Sequence, residues 1–364
     1  MENKNVLLLG GTGAMGAHLS KILANKGLEV YVTTRQNIKE LKLDKHIHYI
    51  QGNAKDNPFL ERELQNRDYH CVVDFMTYSH REFDSRKDIL LNATAQYVFL
   101  SSSRVYADSI TPITEESPRH LDVCNDSEYL STDEYALAKA REENILRSSA
   151  KKNWTIIRPY ITYSETRLQL GVMEKESWLY RALHGRKIVF SKDIAQRLTT
   201  LTYGNDVAKG IASIIGQKGA LGETFHITQP KAISWSKVLS IYQDVIEEVT
   251  GKRPEVILTD EAINLKRGIK KWQVKVDRLY DREFDSSKIN QFIDTSTFIS
   301  PEEGLRNCLR SFLNSPKFLS IDWYENILMD KISNEISSYS EMKNLRKALS
   351  YAKWRFFKHT KELL

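Results

Sequence analysis

The 364-residue chain is 41% hydrophobic and 27% charged, enough for one large core or two moderate ones, with a formal net charge of +6. Eight Lys/Arg against three Asp/Glu between 331 and 364 place about +5 of that charge in the tail, so a protein-wide surface for nucleic acid is not indicated. Cys71, Cys124 and Cys308 are odd in number and lack metal-like spacing, which argues against a disulfide framework and a structural zinc site; no run of eighteen apolar residues or signal-peptide pattern occurs, so the expected location is cytoplasmic.

Val6-Leu7-Leu8-Leu9 reads as a buried parallel strand, and after Gly10-Gly11-Thr12-Gly13-Ala14-Met15-Gly16 the residues Met15, Leu19, Ile22 and Leu23 fall at helical spacing. That order predicts a strand, a tight turn and a helix whose N-terminal amides face an anion. Glycines at 10, 13 and 16 would let the backbone approach a pyrophosphate. A second strand over 29–34 ends eighteen positions after Gly16, near where a dinucleotide fold places its ribose-reading residue. Thr34-Arg35 offers no carboxylate to the 2′-hydroxyl of NAD and a guanidinium to the 2′-phosphate of NADP, so NADP(H) is favoured over NAD(H).

Further strands are expected over 47–51, 71–76, 97–100 and 154–158, with helices between most of them. Such alternation implies an α/β chain with a Rossmann-type, doubly wound parallel sheet. Asp74, inside an apolar run, reads as a satisfied buried carboxylate without a catalytic role. Asp108, Glu115, Glu116, Asp122, Asp126 and Glu128 read as an acidic surface loop rather than a metal site, and no metal ligands are assigned.

Tyr135 and Lys139 are four apart, so on a helix the phenol and the ammonium share one face. A tyrosine that moves a proton at neutral pH needs a cation beside it, because a free phenol titrates near about 10. Ser102, in the serine run that ends a strand, could hydrogen-bond the same substrate oxygen. The three residues suit a carbonyl/alcohol reaction.

Beyond Pro159 a smaller substrate lobe is expected, with a helix carrying Trp178, Tyr180 and Arg181, a hairpin over 185–190 and a returning segment at Asn205-Asp206-Val207-Ala208. In the tail, Met342, Leu345, Leu349, Ala352 and Phe356 recur at three- and four-residue steps, predicting an amphipathic helix that packs through them. Trp354 and Phe357, among Lys353, Arg355, Lys358 and Lys361, would then face outward toward a membrane surface or another subunit. The expected division is 1–160 with a return near 195–230 as the dinucleotide domain, 161–330 as the substrate lobe, and 331–364 as a basic helical tail.

At these residues the chain resembles the extended short-chain dehydrogenase/reductase family, in particular its NAD-dependent epimerase/dehydratase group acting on nucleotide sugars, over about residues 5 to 315. Gly10-Gly11-Thr12-Gly13-Ala14-Met15-Gly16 is similar to the family's Gly-x-x-Gly-x-x-Gly turn, Ser101 to Tyr106 to its serine motif, Arg158-Pro159 to its post-catalytic strand end, and Asn205 to Ala208 to a later signature. Phe284 to Lys288 and Pro301 to Leu305 resemble C-terminal segments of the family. The resemblance implies Ser102, Tyr135 and Lys139 as catalytic residues. It implies Gly10, Thr12, Gly13, Ala14, Met15, Gly16, Thr34, Arg35, Asn53, Ala54, Phe75, Met76, Ser101, Tyr135, Lys139 and Pro159 around the cofactor. Ser103, Arg104 and Arg197 are implied for the substrate.

Three departures refine this. Ser103-Arg104 stands where sugar-nucleotide dehydratases carry an Asp-Glu pair, which removes the acid and base of dehydration. Thr34-Arg35 replaces the usual Asp and points to an exchangeable NADPH. Asn53 stands where an Asp near the adenine is common, and Arg197 stands in for a displaced pyrophosphate-binding Arg. The resemblance therefore implies NADPH-dependent reduction of a nucleotide-linked 4-keto-6-deoxy sugar, such as dTDP-4-dehydro-6-deoxyglucose, in bacterial polysaccharide precursor synthesis. A 4-epimerase is the alternative, and a non-catalytic NADP-sensing or RNA-binding relative a third reading. The expected partners are the nucleotide sugar and a second copy in a homodimer, with no nucleic acid.

Overall fold

A computed structural model describes residues 4–40, 44–342 and 344–357. The chain forms two compact units: residues up to 162 with 200–230 and 283–299, and residues 163–199 with 231–282 and 300 onward.

The first unit is built on a seven-stranded sheet of β1 (Asn5–Leu9), β2 (Glu29–Thr34), β3 (Ile47–Gln51), β4 (Tyr69–Asp74), β5 (Thr94–Leu100), β6 (Trp154–Arg158) and β7 (Glu223–His226). Its order is β7-β6-β5-β4-β1-β2-β3 and every pairing is parallel. The central strands are buried on both faces, which is why they read as unbroken apolar runs. Their alternation divides the core. Val6, Leu8, Val73 and Val98 pack with Leu19 and Leu23 of α1 (Gly16–Asn25) on one side. Leu7, Val72, Tyr97 and Phe99 pack with Leu60 and Leu64 of α2 (Asn57–Asn66) and Leu146 of α3 (Tyr135–Ser148) on the other. The first side is completed by Val207 and Ile211 of α4 (Gly204–Ile214).

Strand order reverses at β1, between β4 and β2, so the ligand crevice of this Rossmann-type sheet lies beyond the carboxyl ends of those strands. β4 spans Tyr69–Asp74 rather than 71–76, because Asp74 accepts the Met76 amide at 2.9 Å and turns the chain out of the sheet. Residues 283–299 belong to this unit and not to the substrate lobe: Ile113 N donates to the Glu283 carbonyl and Asp285 N to the Ile113 carbonyl, both at 2.8 Å.

In the second unit, α5 (Trp235–Thr250) packs on α6 (Pro301–Asn314), and Trp178 stacks on Tyr242 with centroids 4.5 Å apart. The expected hairpin over 185–190 is instead a helix exit at Gly185, in the left-handed region at φ 73°, followed by a strand, Ile188–Ser191, paired in parallel with Val256–Thr259. The described part of the tail is integrated into this unit. Buried Asp330, on α7 (Trp323–Ser333), accepts from Arg181 and from the Ser337 and Tyr351 hydroxyls at 2.7 and 2.6 Å. The face of α8 (Leu345–Ala352) that packs is therefore set by Tyr351, with Ala348 and Trp354 beside it, whereas Leu345, Leu349 and Phe356 are exposed. Lys358 and Lys361 lie outside the described residues.

Candidate active site

The glycine turn joins β1 to α1 with little room to spare. Gly10 has φ 69°, and a Cβ there would meet the Met76 sulfur at 2.5 Å; a Cβ on Gly16 would come within 2.5 Å of the Gly11 carbonyl oxygen. Gly13 is open to solvent, with Thr12, Ala14 and Met15 half-buried around it. The amide of Gly10 donates to the Thr33 hydroxyl at 2.9 Å, which ties the turn to β2.

A cleft of about 450 Å³ opens here, lined among others by Gly10, Thr12, Thr34, Arg35, Asn53 and Met76. Thr34 is buried and its hydroxyl accepts the Gln36 amide at 3.1 Å, while Arg35 is exposed. Asn53 accepts the Lys55 amide at 3.2 Å, and Ala54 is buried beside it. Among the described residues no carboxylate lines the cleft. Its residues fit the adenosine end of a dinucleotide: open glycine backbone for phosphates, a polar floor, and a free-standing guanidinium at the end of β2.

Ser102 follows β5, the Lys139 ammonium reaches the Met76 carbonyl beyond β4, and the Tyr135 ring lies beside Arg104, two residues past Ser102. Ser102 is buried, and its hydroxyl oxygen accepts the Arg104 amide at 3.2 Å, leaving its proton to donate. Tyr135 opens α3 and is 36% exposed. Lys139, one turn on, is 1% exposed; its ammonium donates to Glu142 at 2.9 Å and the Met76 carbonyl at 3.4 Å, and lies 4.4 Å above the Phe99 ring. Phe75 is half-buried against the core, and Pro159 is buried with its carbonyl accepting the Ser103 amide at 3.0 Å.

Ser101 and Ser103 are turned inward. The Ser101 hydroxyl donates to Glu143 at 2.6 Å and that of Ser103 to the Arg158 carbonyl at 2.8 Å, with Ser103 fully buried. Of the three serines, Ser102 is the one whose hydroxyl remains for a ligand. Arg104 donates to Glu134, the N-cap of α3, and its guanidinium lies 5.4 Å from the Tyr135 ring centre. It therefore stands beside the candidate proton donor. Arg197 belongs to the other unit, exposed, with its carbonyl accepting the Trp235 amide.

Two carboxylates of the site, Glu142 and Glu115, escaped the sequence. Glu142 pairs with Lys139 at the i,i+3 spacing, a signal that was legible. Burial pushes its carboxyl up and the Lys139 ammonium pulls it back, with a balance at about 7. Asp74 is satisfied as expected, accepting from Tyr97 at 2.8 Å and Tyr78 at 3.0 Å, and burial raises it. Glu115 corrects the surface-loop reading: it accepts the His226 amide at 2.8 Å inside a buried network, and desolvation raises it. In that network Arg158 makes two bonds to Glu143, at 2.8 and 2.6 Å, and bonds Tyr106, whose hydroxyl meets His226.

Because folding raises the Glu142 carboxyl from its ordinary value toward about 7, its contribution is complete below about 4.5 and is lost as pH rises through 7. Urea titrations at pH 5 and pH 8 should accordingly show the parent protein losing stability relative to Glu142→Gln at the higher pH. A pH-independent difference between the two would contradict that placement.

Comparison with known proteins agrees with this geometry. Residues 6–228 match the NAD dependent epimerase/dehydratase family. The chain belongs to that family. The chloroplast stem-loop binding protein of 41 kDa b of Arabidopsis thaliana is 26% identical over 254 residues, 64% of this chain and 61% of its own. The chain spans about three fifths of the length of the curated relatives it matches. Among solved structures, the Bordetella bronchiseptica enzyme WbmH in complex with NAD+ aligns with a TM-score of 0.66 at 14% identity, over 86% of this chain and 100% of that one. The UDP-glucuronic acid 4-epimerase from Bacillus cereus, in complex with UDP-glucuronic acid and NAD, aligns at 0.63 with 17% identity, over 85% and 99%. For this member of the epimerase/dehydratase family, the likeness to these structures concerns the fold.

Proposed function

We propose that the chain is an NADPH-dependent reductase of a nucleotide-linked 4-keto sugar. The observation that carries this reading is Met76: it lines the cleft that suits the adenosine end of a dinucleotide, and its carbonyl accepts the Lys139 ammonium. Cofactor cleft and Ser/Tyr/Lys cluster thus share a wall, at the switch point of the sheet. The nicotinamide would supply the hydride. Ser102 donates a hydrogen bond to the sugar carbonyl oxygen, Tyr135 delivers the proton that oxygen needs as it becomes a hydroxyl, and Lys139 stabilises the phenolate left behind. Lys139 and the backbone at Gly10 and Gly13 would also hold the cofactor's ribose and phosphates. Ser103-Arg104 supplies neither acid nor base for dehydration.

NADPH oxidation with freshly prepared dTDP-4-dehydro-6-deoxyglucose, followed by NMR of the product, tests the reading. A 4-hydroxy sugar formed with consumption of one cofactor supports it; a C4 epimer formed without consumption favours the epimerase. The preference for NADP rests on Arg35. Arg35→Asp removes a charge-assisted phosphate contact of about 1.5–3 kcal/mol, so the NADPH/NADH affinity ratio should fall about 10- to 100-fold in fluorescence titrations. An unchanged ratio would place the 2′-phosphate elsewhere. A second reading, RNA binding, is supported by the printed name of the Arabidopsis relative. Retention of a stem-loop RNA in a mobility-shift assay by protein that turns over no keto sugar would favour it.

A further inference from the structure

We propose that the outer face of the C-terminal helix binds the surface of an anionic lipid bilayer. Leu345 and Leu349 are each 63% exposed, Phe356 55% and Phe357 82%. Leu345, Leu349 and Phe356 follow one another at steps of four and seven residues along α8 and the wider turn Lys353–Phe357 that continues it, so they form one apolar stripe. The stripe does not come from loose docking. The opposite face is fixed: Ala348, Tyr351 and Trp354 pack with Ile327, Leu328 and Met342, and the Tyr351 hydroxyl donates to buried Asp330 at 2.6 Å. A helix held this firmly by one side presents the other to a partner.

Charge selects the partner. Arg346, Lys347 and Lys353 are exposed on the same segment, and residues 331–364 carry a net +5 of the chain's +6. Large apolar side chains flanked by basic ones match the boundary between acyl chains and anionic headgroups, where each exposed Lys or Arg adds attraction and each Leu or Phe buries apolar area. A second copy of this chain meeting the stripe about a two-fold axis would set the basic segment against itself. Nucleic acid would use the cations and leave the leucines in water. No helix among the described residues is long and apolar enough to cross a membrane, so the contact is with the surface. This inference is independent of the turnover proposed above.

Flotation of the purified protein with vesicles of phosphatidylcholine alone, and of phosphatidylcholine with about one third phosphatidylserine, tests it. The expected result is flotation with the anionic vesicles, weakened by salt as surface charges are screened, and reduced at least about tenfold in Leu349→Glu/Phe356→Glu. Both positions are exposed, so the variant should keep the parent's melting curve, and Leu349→Ala/Phe356→Ala offers a milder check on the same readout. A folded parent that floats with neither composition overturns the proposal. So does a variant that changes only the oligomeric state by analytical ultracentrifugation, or a parent that ignores vesicles and shifts RNA.

Discussion

Tyr135→Phe is expected to lower turnover of the keto sugar by about 10²- to 10⁴-fold, the range over which a positioned proton donor contributes. NADP(H) binding should change little. The phenol is the half-exposed acidic group that opens α3: Glu142 is buried and bonded to Lys139, and Glu134 is engaged by Arg104 and by the Ala136 amide at 2.8 Å. Removing the hydroxyl leaves the ring over the Arg104 guanidinium intact, so the fold and the glycine turn should be undisturbed. Stopped-flow hydride transfer separates the effects. A loss in the chemical step with unchanged cofactor titration agrees with the assignment, whereas full activity in the variant would remove Tyr135 from it.

The largest effect on stability is expected at Glu143, well away from solvent. Burial alone would raise its carboxyl, yet Arg158, Ser101 and Arg119 together hold it at about 2. It accepts two bonds from Arg158, one from Ser101 at 2.6 Å and one from Arg119 at 3.1 Å. Glu143→Gln leaves the Arg158 guanidinium, 1% exposed, without its counter-ion. Breaking a buried pair from one side costs about 3–5 kcal/mol, and urea unfolding should show a loss of that size. Because Ser101 adjoins Ser102 and the Ser103 hydroxyl is bonded to the Arg158 carbonyl, the same variant should also loosen the serine loop and reduce kcat beyond the stability loss. A loss under 1 kcal/mol would mean that the network is dispensable.

The sheet was legible because strands buried on both faces have no choice but to be apolar, and because the glycine turn, the serine run and the Tyr/Lys pair occur in chain order with telling spacing. What the sequence concealed was assembled from distant segments. Glu115 from a loop, Glu143 from α3, and Arg158 and His226 from the ends of β6 and β7 meet in one network, and no local pattern distinguishes Glu115 from its solvated neighbours. His226, fully buried, is held neutral to about pH 3, first by desolvation and then by Arg158. The tail shows the same limit. Hydropathy spacing selected Leu345, Leu349 and Phe356 as the packing stripe, whereas a buried carboxylate, Asp330, chose the tyrosine face. A periodic pattern identifies an apolar stripe, and an ionic anchor elsewhere decides which way it turns. The 185–190 hairpin failed because its strand found a parallel partner nearly seventy residues away.

The central claim is that the Ser102/Tyr135/Lys139 site reduces a nucleotide-linked 4-keto sugar at the expense of NADPH, and the most direct test is to follow the hydride. Reaction with NADPH dideuterated at C4 of the nicotinamide and dTDP-4-dehydro-6-deoxyglucose should yield a sugar bearing one deuterium at C4, visible as loss of that proton signal by NMR, and far more slowly with Tyr135→Phe. A product with full proton occupancy at C4, or no product while the cofactor remains bound, would contradict the account.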